Sequence, residues 1–328
     1  MSEFRSVFST EIENHIAIRK AVYRPNTVLG TIRVLKEFDS YLCEADLHVK
    51  ELTEDAVETW ISGLKGKTHT IGGKISQIRL FSNYLLSSGI KAYIPSPYKV
   101  RDEYSPYIFS EYEIMMIFME ADNLTPAPNQ TNPWLQLEFP VIVRLLYSCG
   151  LRLGETITMR VRDIDSDSAS LKLERTKNQK QRIVPMSDSM FKILHHYCDV
   201  MGILGEKDAF VFPGKNLDVS ISDKSVRLQF NNILRKLGIV VHGRAIQERG
   251  PCLHCFRHTF AFKSFAQAEA MGVSLNSSVP FLSTYLGHKS LNETEKYLKF
   301  SSIMYPETVK AFERYVGGVF PVEESYEE

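Results

Sequence analysis

His254-Cys255-Phe256-Arg257-His258 is the stretch on which the reading of the fold turns. His254 and Arg257 are three residues apart, so a helix sets them on one face a single turn from each other. A helix is predicted over 254–271. Two stretches of related character lie on either side, Gly150-Leu151-Arg152-Leu153-Gly154-Glu155 before it and Leu286-Gly287-His288-Lys289-Ser290 after it. Arg175-Thr176-Lys177 falls between the first and second of these, and Tyr297 follows His288 by nine residues. Every one of these cationic and nucleophilic groups lies beyond residue 150.

Around them the sequence reads as mainly helical with a small β-hairpin or sheet, an α+β class. Leu171 to Pro185 alternates in polarity and has turn chemistry at 176–180, the signature of a hairpin. Helices are expected at 222–237, 279–286 and 292–299. In the last of these, Asn292 and Glu295 form a capping box that puts Tyr297 in its first turns. The first ~95 residues read as short amphipathic helices. Asn26 is placed as the cap of a segment carrying Val28, Ile32, Leu35, Phe38 and Leu42 on one face. Thr53 opens another with Val57, Trp60, Ile61 and Leu64 inward, and 69–88 repeats the pattern with Ile71, Ile75, Ile78, Phe81 and Leu85. The opposite face of 69–88 shows Lys74, Ser76, Gln77 and Arg79, by default a solvated surface and alternatively a nucleic-acid contact.

Residues 93–106 hold three prolines and four charged residues with little periodicity, which suits a linker. Ser110 and Glu113 then cap a new helix. Two domains are predicted, 1–104 and 105–328.

Composition narrows the function classes. At 328 residues the chain can bury two cores, and 44% apolar with 24% charged residues is ordinary for a globular protein. Lysine plus arginine equals aspartate plus glutamate at 39 each, which argues mildly against a nucleic-acid binder. The charge is nevertheless segregated. Lys172 to Arg182 carries five basic residues and one acid, whereas the tail has Glu307, Glu313, Glu323, Glu324, Glu327 and Glu328 against Lys310 and Arg314. No apolar run reaches the ~20 residues of a membrane span, and Met1 to Arg5 lacks the apolar core of a signal peptide. Five cysteines do not make a disulfide framework, so a reducing cytoplasm is expected. Cys252, His254, Cys255 and His258 resemble zinc ligands superficially, but no second ligand pair stands at a suitable spacing. No metal and no other cofactor is expected.

Taken singly, each polar residue has an ordinary explanation: a surface ion pair for an arginine, an interfacial position for a histidine, a turn position for Lys177. Taken together, two arginines, two histidines, a lysine and a tyrosine suit one task, clamping a phosphodiester and moving it onto a phenol oxygen. Fixed cationic donors favour the charge that builds on the non-bridging oxygens, and arginine supplies it with a planar fork that keeps its proton. Arg152 is also expected at a helix start, where backbone N–H groups favour anions.

In these residues the chain resembles the tyrosine recombinases, the family of phage and transposon integrases and bacterial dimer-resolving recombinases. The resemblance spans roughly residues 10–316. It implies a helical, SAM-like core-binding domain over 1–104, most evident around 76–84, and a catalytic domain over 105–328. It implies that Arg152 and Arg257 clamp the phosphate and that Glu155 supports the site. His254 and His288 then serve proton transfer and phosphate binding, Lys177 protonates the leaving 5′ oxygen, and Tyr297 is the nucleophile. Lys74, Arg79 and Lys180 are expected to touch DNA, and Tyr285 and Tyr305 are weaker nucleophile candidates. The implied partner is a pair of double-stranded recombination sites held by a homotetramer, with accessory DNA-bending or partner recombinase proteins, in the nucleoid. One departure points to a divergent branch, such as a transposon-encoded one: between Arg257 and His288 the chain runs several residues longer than is common in that family. The rivals are a type IB topoisomerase and a catalytically silent DNA-binding regulator.

Overall fold

The structure is a computed structural model that describes residues 4–23, 25–45, 47–99, 106–126, 131–173, 181–239 and 250–288. The chain divides into two compact units, Met1–Glu103 and Tyr104–Glu328.

The first unit has four described helices, α1 (Ser9–Val22), α2 (Pro25–Glu44), α3 (Glu54–Ser62) and α4 (Thr68–Ser87). Their apolar stripes meet in one core, where Phe8, Ile12, Leu35, Phe38, Leu42, Val57, Ile78, Phe81 and Leu85 are fully shielded from solvent. Thr53 caps α3 by accepting from the Ala56 N–H, as its position in the sequence foretells. The expectation for Asn26 is corrected: α2 begins at Pro25, so Asn26 lies inside the helix. The physical reason is the preset φ of proline, which suits the first helical position, where the missing N–H costs nothing.

In the second unit Ser110 and Glu113 form the reciprocal capping box that opens α5 (Glu111–Asp122). Next come α6 (Leu135–Ser148), the short α7 (Leu153–Ile157) and a three-stranded antiparallel sheet of β1 (Ile164–Asp165), β2 (Ser170–Leu173) and β3 (Arg182–Pro185) in that order. Leu171 pairs with Val184 and Leu173 with Arg182. Alternation buries Leu171, Leu173 and Val184 while Ile183 faces out. Four more helices follow: α8 (Asp188–Val200), α9 (Asp223–Lys236), α10 (Leu253–Ala270) and α11 (Leu275–Leu286). Together the described elements are mostly helical with one small sheet, the class read from the sequence.

The core centres on α6 and α10. Phe256 of α10 is fully buried within ring-packing distance of Phe109 (5.1 Å), Phe230 (5.5 Å), Phe118 (6.5 Å) and Tyr147 (6.5 Å). Truncating such a ring to alanine costs about 3–5 kcal/mol. Arg257 is adjacent in sequence but lies about 100° round the helix, so the helix that anchors the core also delivers the site.

Candidate active site

Three chain segments converge at Arg257. The first is at Gly150, whose φ of +59° lies in the left-handed region. A Cβ there would also stand 2.5 Å from Phe260 Cδ1, so no other residue fits without displacing that ring. The turn delivers Arg152 as the N-cap of α7. The second is the C-terminus of α11, where Gly287 takes φ +65° and the His288 N–H closes back to the Ser283 carbonyl at 3.0 Å. The third is the start of α10, which carries His254 and Arg257.

Guanidinium groups tie these pieces together. Arg257, 1% exposed, donates to the carbonyl of Gly150 at 2.7 Å and to that of Leu286 at 2.6 Å. Arg152 donates to the next carbonyl, Gly287, at 3.1 Å, and to Glu155 Oε1 at 2.9 Å. Arg182 of β3 makes a two-pronged pair with the same carboxylate, at 3.0 Å to Oε1 and 2.8 Å to Oε2. Two arginines thus satisfy the carbonyls that a helix C-terminus leaves open and complement its negative dipole end. Arg152 and Arg182 share the Glu155 carboxylate, and with Arg257 three guanidinium groups stand against that one carboxylate, which leaves the cluster cationic.

Glu155 is the counterweight. Burial pushes its carboxyl up, but the hydrogen bonds and charge of Arg182, then those of Arg152, override this and hold it at about 2. Its Oε2 also accepts the Arg152 backbone N–H at 2.9 Å. That corrects the expectation of an anion site at this helix start. With five residues, α7 is short, and its own carboxylate already occupies its first turn.

Both His258 and His288 are nearly buried, and their pKa values are lowered to about 3. Desolvation is the main cause for each; His254 and Arg257 add to it for His258, and Arg257, Arg152 and Arg182 for His288. The His254 and His258 rings meet edge-on with centroids 4.5 Å apart. Because the folded state holds the imidazoles neutral, the stability this contributes is complete above the ordinary value of 6.5 and is lost as pH falls towards 3. Glu155 adds a second loss between its ordinary 4.5 and about 2. The thermal midpoint of the full chain is expected to drop from pH 7 to 5, by roughly 2 kcal/mol of stability for each ring. His258→Asn with His288→Asn should flatten that limb. Glu155→Gln should leave it in place and alter only the region below pH 4.5. A midpoint constant from pH 7 to 5 would show that the rings titrate normally.

The family model described as "Phage integrase family" matches residues 117–302, more than half of the chain. The chain belongs to the phage integrase family. Its class of activity is that of the tyrosine-type DNA recombinases. It is 27% identical to a putative integrase/recombinase of Sinorhizobium fredii, across 94% of this chain and 98% of that protein. It is 26% identical to a tyrosine recombinase XerC of Thermodesulfovibrio yellowstonii, across 88% of this chain and 90% of that one. Among solved structures, XerH bound to a palindromic difH substrate superposes with a TM-score of 0.65 at 15% identity, covering 88% of this chain and 80% of that one. A lambda integrase dimer on a COC′ core site also gives 0.65, at 16% identity, covering 88% and 94%. At such identities the superpositions speak for the fold.

In this integrase-family chain the described structure gathers Arg152, Glu155, His254, Arg257 and His288 at the α7, α10 and α11 termini. Lys177, Lys180 and Tyr297 lie outside the described residues, as does Tyr305. Tyr285 stacks on Phe260 at 5.3 Å, and burial, the main cause, raises its phenol well above the ordinary value, a poor setting for a nucleophile. In the first unit, Lys74 pairs with Glu37, and Arg79 donates to the Pro95 carbonyl. Among the described residues no group of three or more histidine, cysteine or acidic side chains could hold a metal ion. No described helix is long and apolar enough to cross a membrane.

Arg182 is the site residue that the sequence reading passed over, counting it only as part of a basic run. The signal was there: Arg182 and Val184 share one face of a strand, and an arginine on an inward face needs a carboxylate partner.

Proposed function

We propose that this recombinase cleaves and rejoins DNA through a 3′-phosphotyrosyl link to Tyr297. The observation that carries the reading is the cationic cluster at the α11 terminus, in which Arg152 and Arg257 bind consecutive carbonyls beside His288. Around a phosphodiester, Arg152 and Arg257 hold the non-bridging oxygens, and Glu155 with Arg182 fixes the angle of the Arg152 fork. A bound phosphate supplies the negative charge the cluster lacks. It therefore offsets the cationic neighbours that add to burial in holding His288 neutral, and lets the ring donate a hydrogen bond to the phosphate. Lys177 protonates the departing 5′ oxygen, and His254 assists proton transfer. The attack conserves bond energy, so the freed hydroxyl of a partner strand can reverse it.

The partner is double-stranded DNA at paired sites, held by four protomers in the cytoplasm at the nucleoid, with accessory proteins at some sites. Residues 1–104 form the core-binding domain, with Lys74 and Arg79 exchanging their internal partners for phosphates. The chemistry assigned here uses side chains where other nucleases use a cation. Strand exchange by the purified full chain on its own flanking DNA is accordingly expected to survive EDTA. Loss of exchange on chelation, restored by Mg²⁺ or Zn²⁺, would overturn this reading. Supercoil relaxation without exchange between two sites would favour the topoisomerase reading.

A further inference from the structure

The start of α10 holds a feature that the phosphate chemistry does not use. Cys252 is its N-cap and Cys255 its third residue, and their sulfurs lie 3.6 Å apart. Cys252 is partly exposed, whereas Cys255 is fully buried. Backbone N–H groups face both: the Cys252 N–H donates to Cys255 Sγ at 3.3 Å, and those of His254 and Cys255, beside Cys252 Sγ, help hold its thiol low. Arg227 of α9 lies near Cys252 as well. The pair is therefore asymmetric, with one accessible thiol in a field of donors and one sheltered thiol in contact with it. Cys252 is the N-cap, with extended backbone at φ −150° and ψ 168°, so it is not held to the spacing of two residues inside a helix, and at 3.6 Å the two sulfurs already touch.

We propose that Cys252 and Cys255 are a reversible thiol–disulfide site, oxidised by small disulfides of the glutathione class, with Cys252 as the attacking thiol. The Cys252 thiolate attacks one sulfur of the disulfide; that S–S bond breaks, and one thiolate leaves and takes a proton from water. Cys252 now carries a mixed disulfide and no charge. Contact with the Cys252 sulfur, then burial, is what holds the Cys255 thiol high, while Cys255 together with the backbone donors holds Cys252 low. Discharging Cys252 therefore eases ionisation of Cys255, whose sulfur attacks Cys252 Sγ and expels the second small thiolate, which takes up a proton. Two protein thiols lose two electrons and two protons, and one small disulfide becomes two thiols.

Closing the bond draws the sulfurs from 3.6 Å to about 2.05 Å. That reshapes the turn that carries His254 and from which Arg257 reaches Gly150 and Leu286. Oxidation is thus expected to slow DNA cleavage; this consequence rests on the recombinase reading, whereas the thiol chemistry does not.

The test treats the reduced full chain with glutathione disulfide and maps every cysteine by mass spectrometry, with iodoacetamide alkylation at pH 7 alongside. A Cys252–Cys255 disulfide is expected, with Cys252 alkylating at least ten-fold faster than Cys43. Cys255→Ala should trap glutathione on Cys252, and Cys252→Ser should leave Cys255 unmodified. Cys252 reacting no faster than Cys43, or oxidation confined to other cysteines, would overturn the site. In parallel, the yield of covalent protein–DNA adduct should fall at least five-fold on oxidation and return with dithiothreitol, while Cys252→Ser stays insensitive. An unchanged yield in the fully oxidised protein would overturn the coupling to cleavage. If the reduced wild-type protein forms no adduct, the recombinase reading fails, and the thiol map still decides the dithiol site.

Discussion

Tyr297→Phe is expected to bind its DNA as the wild type does and to form no covalent adduct. Removing one oxygen leaves the ring and the cationic cluster of Arg152, Arg257 and His288 in place, so the electrostatic contribution to phosphate binding persists. What disappears is the atom that bonds to phosphorus. Deleting a nucleophile from a preorganised site costs on the order of 10⁴–10⁶ in rate, enough to erase the band. Incubation with nicked site DNA followed by a denaturing gel reads the adduct, and a gel shift on the same samples reads binding. An adduct that persists would move the nucleophile elsewhere. Tyr305 would then be the first alternative, because the stacked and buried setting of Tyr285 keeps its phenol protonated.

Lys177→Ala is expected to lose about 10²–10⁴-fold in cleavage of ordinary DNA, the range for a general acid. The departing 5′ oxygen is a poor leaving group that needs a proton. Replacing it by sulfur removes the need, since a thiolate leaves unaided. Lys177→Ala should therefore cut a 5′-phosphorothiolate substrate at close to the wild-type rate. Arg152→Ala should gain nothing from sulfur, because the fork of Arg152 serves the non-bridging oxygens. Lys180→Ala is the control. If sulfur rescues Lys180→Ala and leaves Lys177→Ala inactive, the acid is Lys180. Rescue of neither would mean that the proton comes from another group.

What the sequence revealed, and what it hid, follows from physical causes. Amphipathic helices such as α4 declare themselves, because one face is buried and the other wet. The Ser110 and Glu113 box marks α5 to the residue. Leu135–Ser148 does not stand out, since α6 lies at the centre of the core, with Phe139, Val141, Ile142, Val143, Leu145 and Leu146 all buried and Pro140 inside it. A helix buried around most of its girth has no stripe to read. β1 is two residues long, too short for a period. In the site, Arg152, Arg257 and His288 were legible from their motifs. Arg182 was not, because its carboxylate is 27 residues away and only the fold brings the two together. In the sequence Cys252 and Cys255 read as two small buried thiols or as superficial metal ligands, and the asymmetry between their sulfurs arises only in the folded chain.

The bonds from Arg257 to Leu286 and from Arg152 to Gly287 bear on how this chain tolerates a change of length. Between Arg257 and His288 the path runs down α10, reverses at Met271 and Gly272, and returns along α11. Were that path the only thing locating His288, each inserted residue would displace the ring. Instead the far end is fastened directly to both arginines, and the connection only has to be long enough to arrive. α10 and α11 form a hairpin whose tip, at Met271 and Gly272, is remote from the Arg257 and His288 end, so the tip is where length can be added without moving the site.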